Sequence, residues 1–504
     1  MSQPSLKDLT AAAAKADEPA FTPVSKVKLG GVDPLGLRQL NFDLMDQVFP
    51  ALNNVARHIR PFVVVAWACR RAKQLAQIQG LDRVRVGDLT DFVDRIQVIY
   101  AWSQFLRTPD ADLPGRQFLA PLIHADHWTF GGLAWEELCN VRRNSTSFTA
   151  AINYGPGLKA LGWVEPHPEH PRVLIATDAA TPALDSFEEI IADRLDHPAF
   201  CQFGSVDVAK SEAEAWADSW ALERATEGEK RVMESMLLGS RAPIERRNGC
   251  ALMIAATRYA STTEANAIRA AMAGSPSNFV PPPELVGALT AWRLVQVRQL
   301  FRLSLESLFY WIFRAVGDGP KSSEALVESF LAQTTPRPAQ GKAREWLDVA
   351  SVATAGPTAL MARIERTLEA TPPVELASAI ADGIVFSLAE ILPKGHGPER
   401  GVDRLPLSRA RREADKWAEA SGKDFVRHIL ESWVLAQHVY WSIGRGLADA
   451  RAHGKTILRL KVILEEGGWT RAPGASRASA PVPTPDRLQT ALTLAEECGL
   501  LPDQ

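Results

Sequence analysis

The sequence predicts a mainly α-helical, multi-domain protein with at least one embedded winged helix-turn-helix unit. Three observations lead there. Apolar residues recur every three or four positions over long stretches, most regularly at Leu294, Val297, Phe301, Leu305, Leu308 and Ile312. At 504 residues the chain exceeds what one compact core organises. Between residues 131 and 178 the helical pattern gives way to short strand-like runs around a polar tip.

Along the chain, residues 1–30 read as a flexible arm, with an Ala-rich stretch, Pro19 and Pro23 and no buried periodicity. Residues 31–130 form an N-terminal helical domain. It opens on a turn, Gly30 to Gly36. A helix carrying Phe42, Met45, Val48 and Phe49 stops at Pro50, and Ile59 to Cys69 is expected to end in the basic turn Arg70, Arg71 and Lys73, which suits the negative end of a helix dipole. Asp88 to Arg107 is the next strong helix. Residues 131–178 give helix Trp135 to Arg143, a short helix Pro156 to Leu161 closing on Gly162, then strands Trp163 to Glu165 and Arg172 to Thr177, the order of a winged unit. Strands are expected to be few and concentrated at 163–177.

A helical segment, 179–275, contains Ser211 to Ala225 and Glu229 to Gly239. The prolines of 274–283 separate it from a helical domain at 284–391, and a second Pro/Gly-rich linker spans about 392–406. The C-terminal helical domain, 407–504, carries a winged-helix-like tail or capping hairpin from Ile457 to Trp469. A Pro/Ala/Ser insert, 471–484, is expected to be disordered. A last helix opens at Thr484-Pro485-Asp486 with Thr484 as N-cap and ends at Gly499.

Composition excludes several classes. Hydrophobic residues make 46% of the chain and charged residues 23%, a globular balance, and the net charge of −3 demands neither nucleic acid nor an acidic membrane. Five cysteines without C-x-x-C spacing argue for reduced thiols and a cytoplasmic setting. The longest apolar run, Phe62 to Cys69, is too short to cross a bilayer, so no membrane partner is expected.

Motifs for chemistry are scarce, and no cofactor, no metal site and no catalytic residue is assigned. Gly454-Lys455-Thr456 has the end of a P-loop, but Asp449 stands where its first glycine belongs. His124 and His127 would share a face if helical, although Pro121, Trp128 and Phe130 suggest a packed loop. Asp207 and Lys210 are spaced three apart, where a restriction-type nuclease needs two. Glu306, inside a helix that looks buried, is expected to form a structural ion pair with Arg302 or Arg298.

Arg142, Arg143, Asn153 and Lys159 are the candidate DNA-binding residues. They lie before or within the candidate recognition helix, with Tyr154 beside them, and such side chains reach phosphates and base edges when a helix enters the major groove. Glu165 and Glu169 on the wing oppose this, and winged units also serve protein contact.

Val32-Asp33-Pro34-Leu35-Gly36-Leu37, with Pro50, Asn53-Asn54, Arg57 to Phe62 and Trp67, resembles the N-terminal region of uncharacterised bacterial proteins encoded near phage-defence genes. Leu464 to Trp469 and Asp486 to Leu501 are similar to their tails. Where those proteins carry an Arg-x-Arg-Tyr-Tyr-like element, Arg60-Pro61-Phe62 stands here. The resemblance implies a setting in anti-phage defence and no chemistry. The expected function is a DNA-associated, non-catalytic component of a bacterial multiprotein system, with duplex DNA and other subunits of that system as partners. A divergent metal-dependent nuclease subunit and a pure protein scaffold are the alternatives.

Overall fold

A computed structural model describes residues 33–54, 56–80, 84–143, 154–171, 173–273, 278–334, 341–348, 350, 352, 354–370, 375–390, 404–453 and 459–502, the side chains of 139–143 and 446–453 excepted. The arm at 1–30, most of the linker at 392–406 and Gly454 to Thr456 lie outside the described residues.

The architecture is mainly helical. Its centre is a thirty-residue helix, Val286–Ala315, buried along most of its length, with Gln296, Arg298, Gln299, Arg302 and Glu306 buried among its apolar side chains. A helix buried on that many sides must be surrounded, and its polar groups must find partners within the protein. The described residues open on four helices, α1 (Arg38–Met45), α2 (Ile59–Gln79), α3 (Val86–Arg107) and α4 (Arg116–Ile123). Next come β1 (His127–Phe130), α5 (Leu133–Arg143), α6 (Gly155–Ala160), β2 (Val164–Pro166) and β3 (Leu174–Ala176). Helix α7 (Thr181–Ile190), β4 (Val206–Ala209), α8 (Lys210–Ala217), α9 (Glu227–Leu238), α10 (Ile244–Ala260) and α11 (Ala265–Ala273) lead to the central helix, α12. Around α12 pack α1, α10, α11, α14 (Gly356–Glu369) and α15 (Leu376–Ala389), with α13 (Ser323–Ala332) following it in the chain. The C-terminal part comprises α16 (Leu407–Trp417) and α17 (Gly422–His428), which continues through a π-helical turn, Ile429–Ala436, into α18 (Gln437–His453). The hairpin β5 (Val462–Glu465) and β6 (Gly468–Arg471) and the final α19 (Leu488–Glu497) complete the chain. Buried apolar side chains form one continuous cluster from Leu35 to Ala495.

Strands are few, and they form three antiparallel pairs: β1 with β4, β2 with β3, and β5 with β6. The concentration at 163–177 is therefore corrected. Strands β1 and β4 are four residues each and far apart in sequence, so neither alone marks a sheet. They meet because Phe130, Val206 and Val208 all bury.

Three local expectations also change. Helix α2 does not end at Arg70 but runs to Gln79, so Arg70 and Arg71 do not meet a helix terminus. Arg70 instead bridges to Asp185 (2.5 Å) and Glu188 (2.9 Å) on α7, and Arg71 Nε donates to the Phe200 carbonyl at 3.1 Å. The helix beginning at Lys210 stops at Ala217 and not at Ala225. The segment 471–484 is not a disordered insert but an extended strap with Ala472, Ala475 and Thr484 buried. Two buried side chains of α12 hold its backbone: Arg302 Nη2 donates to the Val482 carbonyl at 2.7 Å and Gln299 Nε2 to that of Thr484 at 2.6 Å. Small residues and prolines read as disordered because their own burial is slight, and here the retaining bonds come from elsewhere in the chain. Accordingly α19 begins at Leu488, with Asp486 Oδ1 accepting from the Leu488 amide (3.3 Å), and Thr484 is no N-cap.

Segments far apart in sequence, 53–54 and 485–490, bond to each other. Asn54 Nδ2 donates to the Pro485 carbonyl (2.9 Å), the Arg487 amide to Asn54 Oδ1 (3.0 Å) and Thr490 Oγ1 to the Asn53 carbonyl (2.6 Å). Helix α10 crosses the chain just after α1 so closely that a Cβ on Gly249 would lie 2.1 Å from the Val48 carbonyl oxygen. Gly249→Ala is therefore expected to destabilise by about 1–3 kcal/mol, read as a lowered melting temperature, although alanine favours helix elsewhere.

Candidate nucleic-acid interface

The region expected to be winged is built on aromatic anchors. Trp135 of α5 is buried, its ring 5.0 Å from that of Phe130, and its Nε1–H donates to Asp91 Oδ1 at 2.7 Å. Downstream, Tyr154 and Trp163 set their rings edge-on to Phe62 of α2, at 5.9 and 6.4 Å. Helix α6 ends as expected at Gly162, whose φ of +75° suits glycine. The Trp163 amide donates back to Leu158 (2.9 Å), and Thr177 closes the hairpin base by donating to the Trp163 carbonyl (2.9 Å). At the tip His167 and His170 stack at 5.5 Å, and the His167 amide donates to the Val173 carbonyl at 2.9 Å.

One face of this hairpin packs on α2. Between α2, α3 and β3 remains a small apolar cavity of about 190 Å³, with Cys69 and Val173 in its wall. Burial pushes the Cys69 thiol up to about 12, so it is an apolar surface and no nucleophile.

The candidate DNA-binding residues separate. Lys159 is exposed at the last turn of α6. Arg142 and Arg143 close α5, their side chains outside the described residues, and Asn153 lies outside them altogether. Tyr154 is corrected: at 2% exposure it is a core residue with no access to a ligand. Glu165, Glu169 and His170 are exposed on the hairpin, so the described part of this surface is not basic.

Of the other candidates, Glu306 alone is buried. His124 caps the end of α4, and His127 is exposed opposite Ala209 on β1. Among the described residues no three His, Cys, Asp or Glu side chains gather as metal ligands. Asp207 accepts from Thr129 Oγ1, and Lys210 sits 3.9 Å from Glu214, so the two do not converge. Glu306 forms the expected ion pair, with Arg302 at 2.7 Å, while Arg298 turns to the Arg404 carbonyl at 3.2 Å. Burial pushes the Glu306 carboxyl up, and the Arg302 and Arg38 guanidinia oppose this. A second buried pair, Arg60 with Glu229 at 3.1 Å, escaped sequence reading although Thr226-x-x-Glu229 is a legible capping box.

Comparison with known proteins finds no matching family model, no matching curated protein and no matching solved structure. Among the described residues no helix is long and apolar enough to cross a membrane.

Proposed function

We propose that the chain is a DNA-associated, non-catalytic component of a bacterial multiprotein system acting in anti-phage defence. The observation that carries the reading is the order α5, α6, β2, β3. It leaves Lys159 exposed immediately before an antiparallel hairpin and sets Arg142 and Arg143 at the end of the preceding helix. The setting rests on the resemblance of residues 32–67 and 464–501, two stretches that the fold brings into direct contact.

The test is duplex binding by the full chain at low salt, followed by fluorescence anisotropy. Replacing Arg142, Arg143 and Lys159 by alanine is expected to weaken binding. It should also flatten the dependence of log K on log salt by about one unit per lost phosphate contact. The melting temperature of the variant is measured alongside, so that a loss of fold is distinguished from a loss of phosphate contact. The net charge of −3 makes a weak interaction the expectation, so a long duplex is the appropriate probe.

A second reading, protein contact through the same unit, is favoured by Leu133, a large apolar side chain 81% exposed at the start of α5. Absence of duplex binding at low salt would select it.

A further inference from the structure

We infer that the cleft between the N-terminal turn and helix α18 binds a nucleotide unit, meaning a phosphate that carries a planar ring. The inference does not rest on the winged unit. The cleft has a volume of about 490 Å³, within the usual range of small-molecule sites, and Asp33, Arg38, Phe42, Arg404, Trp441 and Arg445 line it.

Charge argues for the phosphate. Three guanidinia face one carboxylate, and that carboxylate is already engaged: Asp33 accepts from the backbone amides of Leu37 (2.9 Å) and Arg38 (3.2 Å). The Arg38 guanidinium comes only within 4.0 Å of Glu306, whose same oxygen is held by Arg302 at 2.7 Å. Arg38 Nε is buried without a hydrogen-bond partner. Burial lowers the Arg38 pKa, with Glu306 only partly offsetting it, so an added anion would stabilise the charge. Among the described residues no carboxylate pairs with Arg404 or Arg445. Arginine forks match phosphate oxygens, and they remain charged at any physiological pH.

The aromatic groups argue for the ring. The Arg404 guanidinium lies over the Trp441 indole, 5.4 Å from its centroid. That indole is held in place by Gly36, whose φ is +72° and where a Cβ would lie 2.3 Å from the ring. Trp441 Nε1–H is buried and unpartnered. Gly36 backs the indole and Arg404 lies over it, so a base would stack on the outer side of this guanidinium–indole layer, a contact open to any base.

The experiment is isothermal titration of the full chain at low salt with three probes: dAMP, inorganic phosphate and 5′-phosphorylated dT12. We expect dAMP to bind roughly tenfold or more tighter than phosphate, the difference measuring the ring. Replacing Arg404 and Arg445 together by alanine is expected to weaken dAMP binding at least ~10-fold with the melting temperature kept, since charge-assisted bonds to phosphate are lost. Trp441→Leu should do the same but can disturb packing on Gly36, so the arginine variant carries the test. Tighter binding of dT12 identifies a strand end as the natural ligand, and equal binding a free nucleotide. The variant lacking Arg142, Arg143 and Lys159 should bind dAMP normally, which separates this site from the duplex reading. The inference is overturned if dAMP and dT12 both fail to bind at about 1 mM, if phosphate binds as tightly as dAMP, or if the double replacement has no effect.

Discussion

Glu306→Ala is expected to cost the fold about 3–5 kcal/mol, the usual penalty when one partner of a buried ion pair is removed. Arg302 and Glu306 are one helical turn apart on α12, with side chains 0% and 1% exposed, so the stranded guanidinium cannot turn to water. Arg302 also holds the Val482 carbonyl, and the loss should therefore loosen the strap. Urea unfolding of the wild type and Glu306→Ala measures the first effect. Limited proteolysis within 471–484 measures the second. Replacing both residues, Arg302→Met with Glu306→Leu, should cost much less than Glu306→Ala alone, because well-packed apolar groups substitute for a buried pair. Equal losses for the single and double variants would mean that packing, and not charge, dominates there.

Raising the pH from 6 to 9.5 is expected to remove roughly 3 kcal/mol of stability through one histidine. His58 precedes α2 and binds the last helix: Nδ1 lies 2.6 Å from Glu497 Oε1 and Nε2 3.4 Å from Asp112 Oδ2. Burial alone would lower its pKa. Hydrogen bonds to Asp112 and Glu497, with their charges, outweigh this and raise it to about 9. A cation whose folded pKa exceeds its unfolded value of 6.5 stabilises fully below 6.5, and the contribution is lost as pH rises towards 9. On the acid side, the hydrogen bond to His58 is the main cause holding the Asp112 carboxyl below its usual 3.8, so its share is lost only as pH falls through that lowered value. Thermal melts at pH 6 and 9.5 should differ clearly in the wild type and much less in His58→Gln. A His58→Gln protein with the same pH dependence would place the titrating group elsewhere.

Much of the helical architecture was legible because a long amphipathic or apolar helix repeats its signal many times. Leu294 to Ile312 fixes α12 by periodicity alone, and the i, i+4 spacing of Arg302 and Glu306 places the two charges on one face. The small β2–β3 hairpin was also legible, since Gly162 and the prolines of the tip mark its ends.

Features of other kinds depend on pairs distant in sequence, and no local pattern encodes a partner. The strands β1 and β4 are recognisable only once each supplies the other's hydrogen bonds. The strap at 471–484 looks disordered until Gln299 and Arg302 are seen to hold its carbonyls. Arg70, read as a helix-end cation, pairs across to α7 because α2 continues. Arg38, Arg404, Trp441 and Arg445 come from three separate parts of the chain, each ordinary alone, and only packing against Gly36 and α12 gathers them in one cleft. The sequence by itself determined the helical class, the main helices and the need of Glu306 for an arginine one or two turns back, because these follow from spacing along one element. The cleft, the clasp between 53–54 and 485–490 and the course of the strap were decided by tertiary structure, because burial of a polar group is settled by whatever arrives to satisfy it.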